Sequence, residues 1–460
     1  MLSSMRNLFI MRGAPGTGKS RFLRTVGADQ ENLIISSDSV RAMLGATVMA
    51  GDGSGACSRG FGGRDGKLVW DFLHECVRQR ARQGSDIFLD TCGITWDKIA
   101  REAAYCVKLG YELTVIDMQG DAPLDAVLDM QELRRYHPSY VDRATVAAMW
   151  EAVREGTGKI KDIVERKGGT YLAAEWRYNN AGAAPIVTNI REMARIVNDK
   201  RANNGIVRLT ATDEHPVVFV GDVHSDADRL NDVFQQILGR YGEGNATVVL
   251  LGDLFDRGPD PVGTKDLLRS FDKHEFFRDL ILVEGNHDFN LRRLYADEKE
   301  LANSFPQTRE TIDAFKAVGW DEKMLRARTV DRMVLGVVVE REGRAPVFAC
   351  HGGVNRSIGD MFACGGVVAN VHAHQLIYGT GDRDTTYYGR SMYFDADPML
   401  SDNGACVIVH GHRNRDTDLG GEGRPVLSVP GIVNLEQGAG TGGPVVAWST
   451  DKTVFSSDGD

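Results

Sequence analysis

The chain is 460 residues long, and at about 100–200 residues per domain that predicts two or three domains, each burying its own core. Hydrophobic residues make up 42% and charged residues 26%, which excludes a mostly disordered chain. The formal net charge of −10 is uneven: residues 1–170 hold 23 Lys and Arg against 22 Asp and Glu, so the acidity lies beyond them and a wholly basic nucleic-acid binder is excluded.

Any nucleic-acid contact is therefore local, and the carboxylate surplus of the later part suits either solubility or a metal site. No stretch approaches the ~18 apolar residues that a membrane span requires, so no membrane association is expected. Met1-Leu2-Ser3-Ser4-Met5-Arg6 lacks the layout of a signal peptide. The seven cysteines (57, 76, 92, 106, 350, 364 and 406) are scattered and never spaced as CxxC. That argues against a disulfide framework or a structural zinc site and for a reducing, cytoplasmic compartment.

The first part alternates strand-like and helix-like segments. Asn7–Met11 is an apolar run, followed by a Gly-rich turn and a helix-forming stretch. Leu33–Ile35 reads as a second buried strand, Asp86–Asp90 as a third and Tyr111–Ile116 as a fourth. Between them, residues 67–83 carry Trp70, Phe72, Leu73, Cys76 and Val77 at helical spacing and stop at Gly84. This rhythm predicts a parallel, doubly wound α/β domain. Residues 51–66 hold seven glycines and read as a mobile loop, while residues 145–167 read as a helix. The stretch 168–212 contains Gly168-Gly169 and Ala181-Gly182-Ala183-Ala184-Pro185 before another helix-like run, and the domain boundary is placed there. From Val217 onward, short apolar strands end in turns rich in histidine and aspartate. No internal repeat links the two parts.

Gly13-Ala14-Pro15-Gly16-Thr17-Gly18-Lys19-Ser20 fits GxxxxGK[ST] between a strand and a helix. Glycines let backbone N–H groups converge on a phosphate, Lys19 reaches the β/γ-phosphates, and Ser20 is placed to ligate Mg²⁺. The expected ligand is ATP with Mg²⁺, cradled by Gly13, Gly16, Thr17, Gly18, Lys19 and Ser20. The next strand ends in Ser36-Ser37-Asp38, with Arg41 one helical turn on. Asp38 can accept a proton from an attacking hydroxyl, or cap the following helix, or both. Arg41 would present a cation to an acceptor phosphate. Asp90 ends its strand in the same way and reads equally as a group ordering Mg²⁺ or water and as a structural residue. Arg134-Arg135, shortly before Pro138, suit either a lid over the transferring phosphate or a solvated helix end.

GAPGTGKS, SSDSVRAML and the RRYHPSYVDRATVAAMW segment together resemble the 5′-polynucleotide kinase domain of end-healing enzymes, over roughly residues 5–165. The resemblance implies ATP-dependent phosphorylation of a 5′-hydroxyl, with Asp38 as general base, Arg41 on the acceptor's phosphate, and Arg134 and Arg135 in the lid. Two positions depart from that pattern: Met130 stands one turn before Arg134 where a second lid arginine is expected, and Cys92-Gly93 follows Asp90-Thr91 where related kinases carry Asn.

Gly221-Asp222-Val223-His224, Gly252-Asp253-Leu254-Phe255-Asp256-Arg257-Gly258, Gly285-Asn286-His287-Asp288, His351-Gly352-Gly353 and His410-Gly411-His412 each follow an apolar strand. Oxygen and imidazole ligands converging from strand ends suit Mn²⁺, Fe or Zn²⁺, and a carboxylate can bridge two ions. Five such motifs in order are similar to the calcineurin-like binuclear metallophosphatases, over roughly residues 215–445. That similarity implies two divalent metals, with Mn²⁺ the expected pair. Asp222 and His224 would hold the first, Asp253 would bridge, and Asn286, His351 and His412 would hold the second. It also implies Arg257 as the phosphate grip and His287 as general acid oriented by Asp256. His410 reads either as a residue behind the ligands or as a buried strand-end histidine, and His372 and His374 are not read as ligands.

The expected fold class is α/β: a P-loop parallel-sheet kinase domain with its lid over residues 1–170, a connecting segment over 171–212, and a metallophosphatase β-sandwich flanked by helices over 213–460. The domain order resembles that of bacterial end-healing enzymes. It implies a 5′-kinase and a 3′-phosphate or 2′,3′-cyclic phosphate phosphatase acting on RNA or DNA ends, with RNA favoured. No lysine-centred nucleotidyltransferase motif precedes Asp460, so a separate ligase is the expected partner. A homo-oligomer is left open. The rival readings are a small-molecule kinase fused to a dinucleoside-polyphosphate or protein phosphatase, and a non-catalytic ATP sensor.

Overall fold

Every residue of the strand Arg6–Arg12 is buried, as befits the centre of a parallel sheet covered on both faces by helices. The computed structural model describes residues 6–29, 33–44, 48–49, 57–58, 63–133, 141–177, 186–202, 205–271, 275–296, 305–321, 323–324, 326, 329–354, 356–364, 373–379, 406–412 and 431–458. Contacts divide the chain into two compact units, Arg6–Asn203 and Asn204–Asp460.

In the first unit the sheet order is Ile34–Ser36, Ile87–Asp90, Arg6–Arg12, Tyr111–Asp117, Thr170–Ala173, with every pair parallel. The chain passes from Arg6–Arg12 to Ile34–Ser36 on one side and later crosses from Ile87–Asp90 to Tyr111–Asp117 on the other, making a crevice at the carboxyl end of the central strand. The register sets Met11 opposite Asp90 and Asp90 opposite Ser36, so the turns after three strands open on one edge.

Two boundaries differ from expectation. The helix Gly63–Gln83 starts four residues early, inside the glycine-rich stretch, because its polar first turn carries no apolar periodicity; its first described buried residue is Val69. Residues 51–56 and 59–62 of that stretch lie outside the described residues. The segment set out as a connector, 171–212, lies largely in the first unit. Thr170–Ala173 is the sheet's edge strand, and Ile190–Ala202 packs Met193, Ala194 and Val197 against Phe9, Phe22 and Phe88. The helix-like run was legible, but the glycines and proline before it suggested a connector where the first unit's core requires the helix.

The second unit is a sandwich of two five-stranded sheets. One runs Asp279–Leu282, Thr247–Leu250, Val217–Val220, Val446–Ser449, Val454–Ser456; the other runs Ile206–Ala211, Gly336–Arg341, Val347–Cys350, Val407–His410, Ile432–Asn434. The strand Val217–Val220 is apolar on both faces. Val217 and Phe219 enter the core between sheets, while Val218 and Val220 meet the helices Ala227–Tyr241 and Pro261–Phe271. The fold is thus a P-loop parallel-sheet unit followed by an α/β metallophosphatase-type sandwich.

Behind the first unit's crevice, the guanidinium of Arg12 is fully buried and each of its three nitrogens is hydrogen-bonded. It donates to Asp117, to Thr157 Oγ1 (2.9 Å), to Tyr171 Oη (3.3 Å), and to the carbonyls of Gly93 (3.1 Å) and Val153. Removing one partner of a buried ion pair leaves an uncompensated charge, at a cost of about 3–5 kcal/mol. Asp117→Ala is expected to destabilise the first unit by that order in urea unfolding followed by tryptophan fluorescence; a loss under about 1 kcal/mol would mean that Arg12 finds water instead.

Candidate active sites

The loop Gly13–Gly18 links the central strand to the helix Lys19–Thr25, and its glycines take φ values of 132°, 96° and 87° at Gly13, Gly16 and Gly18. A Cβ on Gly16 would also press on the Val127 carbonyl. The loop is pinned from outside: Gly13 N–H donates to the Cys92 carbonyl (3.1 Å) and Ala14 N–H to Gln119 Oε1 (3.2 Å). Gln119 in turn donates to the Trp150 carbonyl (2.8 Å) on the helix Arg143–Arg166. Thr17 is buried, its hydroxyl donating to the Ala14 carbonyl at 2.9 Å, and Ser20 is exposed in the first helical turn. Lys19 Nζ rests on the loop itself, donating to the carbonyls of Gly13 (2.7 Å) and Ala14 (3.2 Å).

Asp38 stands inside the first turn of the helix Ser37–Met43, and Ser36 Oγ, not the Asp38 side chain, accepts the Asp38 N–H (3.2 Å). Its carboxylate faces Arg41, whose Nη1 lies 3.0 Å from Asp38 Oδ1 and 3.3 Å from Ser37 Oγ. Sheet register brings Asp90 to the same edge as Gly13 and Asp38. Arg134 and Arg135 lie outside the described residues, and Met130 is on the helix Leu124–Glu132.

The second site gathers at the carboxyl ends of both sheets of the sandwich. Parallel register carries Val220, Leu250 and Leu282 to a common edge, after which the chain delivers Asp222, Asp253 and Asn286. In the facing sheet, Ala349 and Val409 are paired just before His351 and His412. Among the described residues, seven non-glycine residues have φ between 47° and 75°, and six of them are His224, Ser225, Asp253, Asp256, Arg257 and His412. Left-handed backbone is costly for these residue types and is concentrated where the turns must aim side chains inward.

Asp253 presents Oδ2 to His224 Nε2 (3.6 Å) and Oδ1 to His351 Nε2 (3.3 Å), the disposition of a bridging carboxylate. His351 Nδ1–H donates to the Leu251 carbonyl (2.7 Å), which leaves Nε2 as the ligand atom. Donor atoms of Asp253, His351 and His412 lie within 4.8 Å of one another, as do those of His224, Asp253 and His287. Asn286 Oδ1 faces acceptors only: His412 Nδ1 at 2.8 Å, Asp253 Oδ2 at 3.0 Å and His351 Nε2 at 3.1 Å. A cation between them satisfies all four groups at once, so the donor set fits the expected metals. Charge points the same way. Burial, then Glu436 and Asp253 beside it, pushes the Asp222 carboxyl well above the usual range. Burial also opposes ionisation of Asp253, but His351, His287 and His224 outweigh it and hold that group well below the usual range.

His287 Nδ1 meets Asp256 Oδ2 at 2.9 Å, and its Nε2 lies 4.0 Å from Asp253 Oδ2. Burial disfavours the imidazolium, yet Asp253 and Asp256 raise His287 above its ordinary value. Asp256 is itself clamped by the hydroxyls of Thr308 and Thr311 (2.7 Å for the latter), on one face of the helix Pro306–Ala317. Arg257 Nη1 points at His224 Nε2 (3.3 Å). His410 is fully buried, its Nδ1 against the Gly411 carbonyl (2.9 Å), and belongs to neither donor cluster. His372 lies outside the described residues. Sequence reasoning missed Thr308, Thr311, Gln119 and Glu436; none sits in a motif, and each acts from an element distant in the chain.

Residues 215–425 match the calcineurin-like phosphoesterase family and residues 8–155 match an AAA domain family. The chain therefore joins a P-loop, kinase-like domain to a calcineurin-like metallophosphatase domain. No curated protein matches it. Solved structures similar to it include a candidate diadenosine tetraphosphatase (16% identity, 55% of this chain and 97% of that one, TM-score 0.35). Others are a cold-active protein-tyrosine phosphatase of Shewanella sp. (15%, 55% and 83%, 0.32) and a protein serine/threonine phosphatase from Saccharomyces cerevisiae (15%, 64% and 88%, 0.31). Among the described residues no helix is long and apolar enough to cross a membrane.

Gly411 approaches Asp222 so closely that a Cβ there would collide with Asp222 Oδ1. Gly411→Ala is expected to weaken divalent-metal binding roughly 10- to 100-fold, the range for disturbed support of metal ligands. Calorimetric titration with Mn²⁺ checks it, and unchanged affinity would remove Asp222 from the ligand set.

Proposed function

We propose that the chain heals broken polynucleotide ends, phosphorylating 5′-hydroxyls with ATP and removing 3′-phosphate or 2′,3′-cyclic phosphate groups. The observation that carries this reading is the pairing, in one chain, of a phosphate-adding loop with a phosphate-removing centre. A break with 5′-hydroxyl and 3′-phosphate ends needs both changes before a ligase can join it, so a separate ligase is the natural partner and RNA the favoured substrate.

At the kinase site, Asp38 accepts the proton of the attacking 5′-hydroxyl while Arg41, already paired with it, holds the acceptor's phosphate. Lys19 exchanges its loop carbonyls for the γ-phosphate of ATP, and Ser20 would hold Mg²⁺. Arg134 and Arg135 are the cations assigned to stabilise charge on the transferring phosphoryl group.

At the phosphatase site, Asp222, His224 and Asp253 would hold one metal and Asp253, Asn286, His351 and His412 the other. Two such ions supply a water of lowered pKa and a clamp on the phosphate. Arg257 grips a phosphate oxygen. His287, with Nδ1 fixed on Asp256, gives its Nε2 proton to the departing alkoxide. Thr308 and Thr311 keep Asp256 facing His287 and not the metals.

Asp256 raises the pKa of His287, and the acid form is the one required. In Asp256→Asn that support is lost, the imidazolium deprotonates at lower pH, and the alkaline limb of kcat/KM moves to lower pH. A pH–rate profile in which the limb stays fixed would assign it to another group.

The whole reading is tested with ATP, Mg²⁺, Mn²⁺ and an oligoribonucleotide bearing a 5′-hydroxyl and a 2′,3′-cyclic phosphate, both ends read by mass. The expected result is a gained 5′-phosphate and a lost 3′-phosphate. Asp38→Ala should abolish only the first and Asp222→Ala only the second. Unchanged ends with continued cleavage of a simple phosphate ester would favour a small-molecule kinase–phosphatase.

A further inference from the structure

One group of side chains beside the phosphatase centre has no part in the chemistry above. Tyr378 and His374 lie one turn apart on the helix Ala373–Tyr378, with rings stacked at 4.2 Å and 23°. Helical spacing alone accounts for their contact with each other. It does not account for their neighbours. Tyr378 also meets the edge of His412 at 6.1 Å, and Arg293 hydrogen-bonds Tyr378 from the helix Asn286–Tyr295, the element that begins with a metal-ligand residue. The Arg293 guanidinium lies 6.0 Å from the Phe289 ring on the same helix. Rings and a cation thus run from His412 outward to His374, which is exposed.

A flat imidazole reachable from solvent, backed by tyrosine and flanked by guanidinium, is chemistry that takes a planar heterocycle by stacking, whatever its sequence.

We propose that His374, Tyr378 and Arg293 form a nucleobase subsite of the phosphatase centre, which receives the base of the nucleotide whose terminal phosphate is removed. This rests on the polynucleotide reading given above and gives it a physical source of selectivity: a phosphate ester without a base would engage the metals but not the stack.

The test compares KM for 3′-phosphate release from two short oligoribonucleotides, identical except that the terminal nucleotide of one is abasic. The proteins are the unaltered chain, Tyr378→Phe, Tyr378→Leu and His374→Ala, each metal-loaded. Loss of the base is expected to raise KM about tenfold in the unaltered chain and in Tyr378→Phe, but less than about twofold in Tyr378→Leu and His374→Ala. His374 is exposed, so its alanine variant reports even where Tyr378→Leu fails to fold. An equal penalty in all the proteins, or none in the unaltered chain, overturns the subsite while leaving end healing intact. Release from neither oligonucleotide, with hydrolysis of a simple phosphate ester retained, overturns the polynucleotide reading and the subsite with it.

Discussion

Asp253 faces His224 with one carboxylate oxygen and His351 with the other, and its own backbone is held in the left-handed region at φ 47°. Three further contacts converge on it. His224 and Val223 donate their N–H groups to its carbonyl, and His287 donates its N–H to Oδ1 (2.9 Å). Two turns must pass each other here without side chains, since a Cβ on Gly252 would strike the backbone of Gly285. Much of the sandwich's architecture follows from this one demand. Parallel strands bring the turns to a common edge, and valine-rich cores on both faces of the first sheet hold that edge rigid enough to bear unfavourable φ values.

The P-loop unit meets the same problem by different means. Its phosphate cradle is made of glycines and is intrinsically loose, so its rigidity comes from behind. Arg12, the residue just before the loop, knots the central strand to Asp117, Tyr171 and the helix Arg143–Arg166, and Gln119 ties the loop's Ala14 N–H to that same helix. The helix Arg143–Arg166 is therefore joined to the loop Gly13–Gly18 through one bridging side chain, Gln119.

What could be read from the sequence was what short-range pattern encodes. GxxxxGK[ST], Ser36-Ser37-Asp38 and the five strand-end motifs are contiguous, and their residues do meet at sheet edges. Donor atoms of Asp253, His351 and His412, which stand in three of those motifs, lie within 4.8 Å of one another, and those of His224 and His287 gather on Asp253 in the same way. Residues that act through tertiary contact were invisible. Thr308 and Thr311 reach Asp256 across more than fifty positions, and Glu436 reaches Asp222 across more than two hundred. Composition misled where it stood in for packing: the stretch around Pro185 looked like a linker, yet the helix after it covers Phe9 and Phe88. The polar first turn of Gly63–Gln83 was lost for the opposite reason, having no apolar face to read.

Asp222 Oδ1 accepts the N–H of His412 at 3.0 Å. A side chain assigned to one pocket thereby fixes the backbone that supplies a ligand to the other. In the proposed ligand assignment, ordering either residue would order a part of the other's surroundings, and thermodynamic linkage would make that help reciprocal. Under that assignment, a substitution at Asp222 would be felt in both halves of the centre and not in one alone.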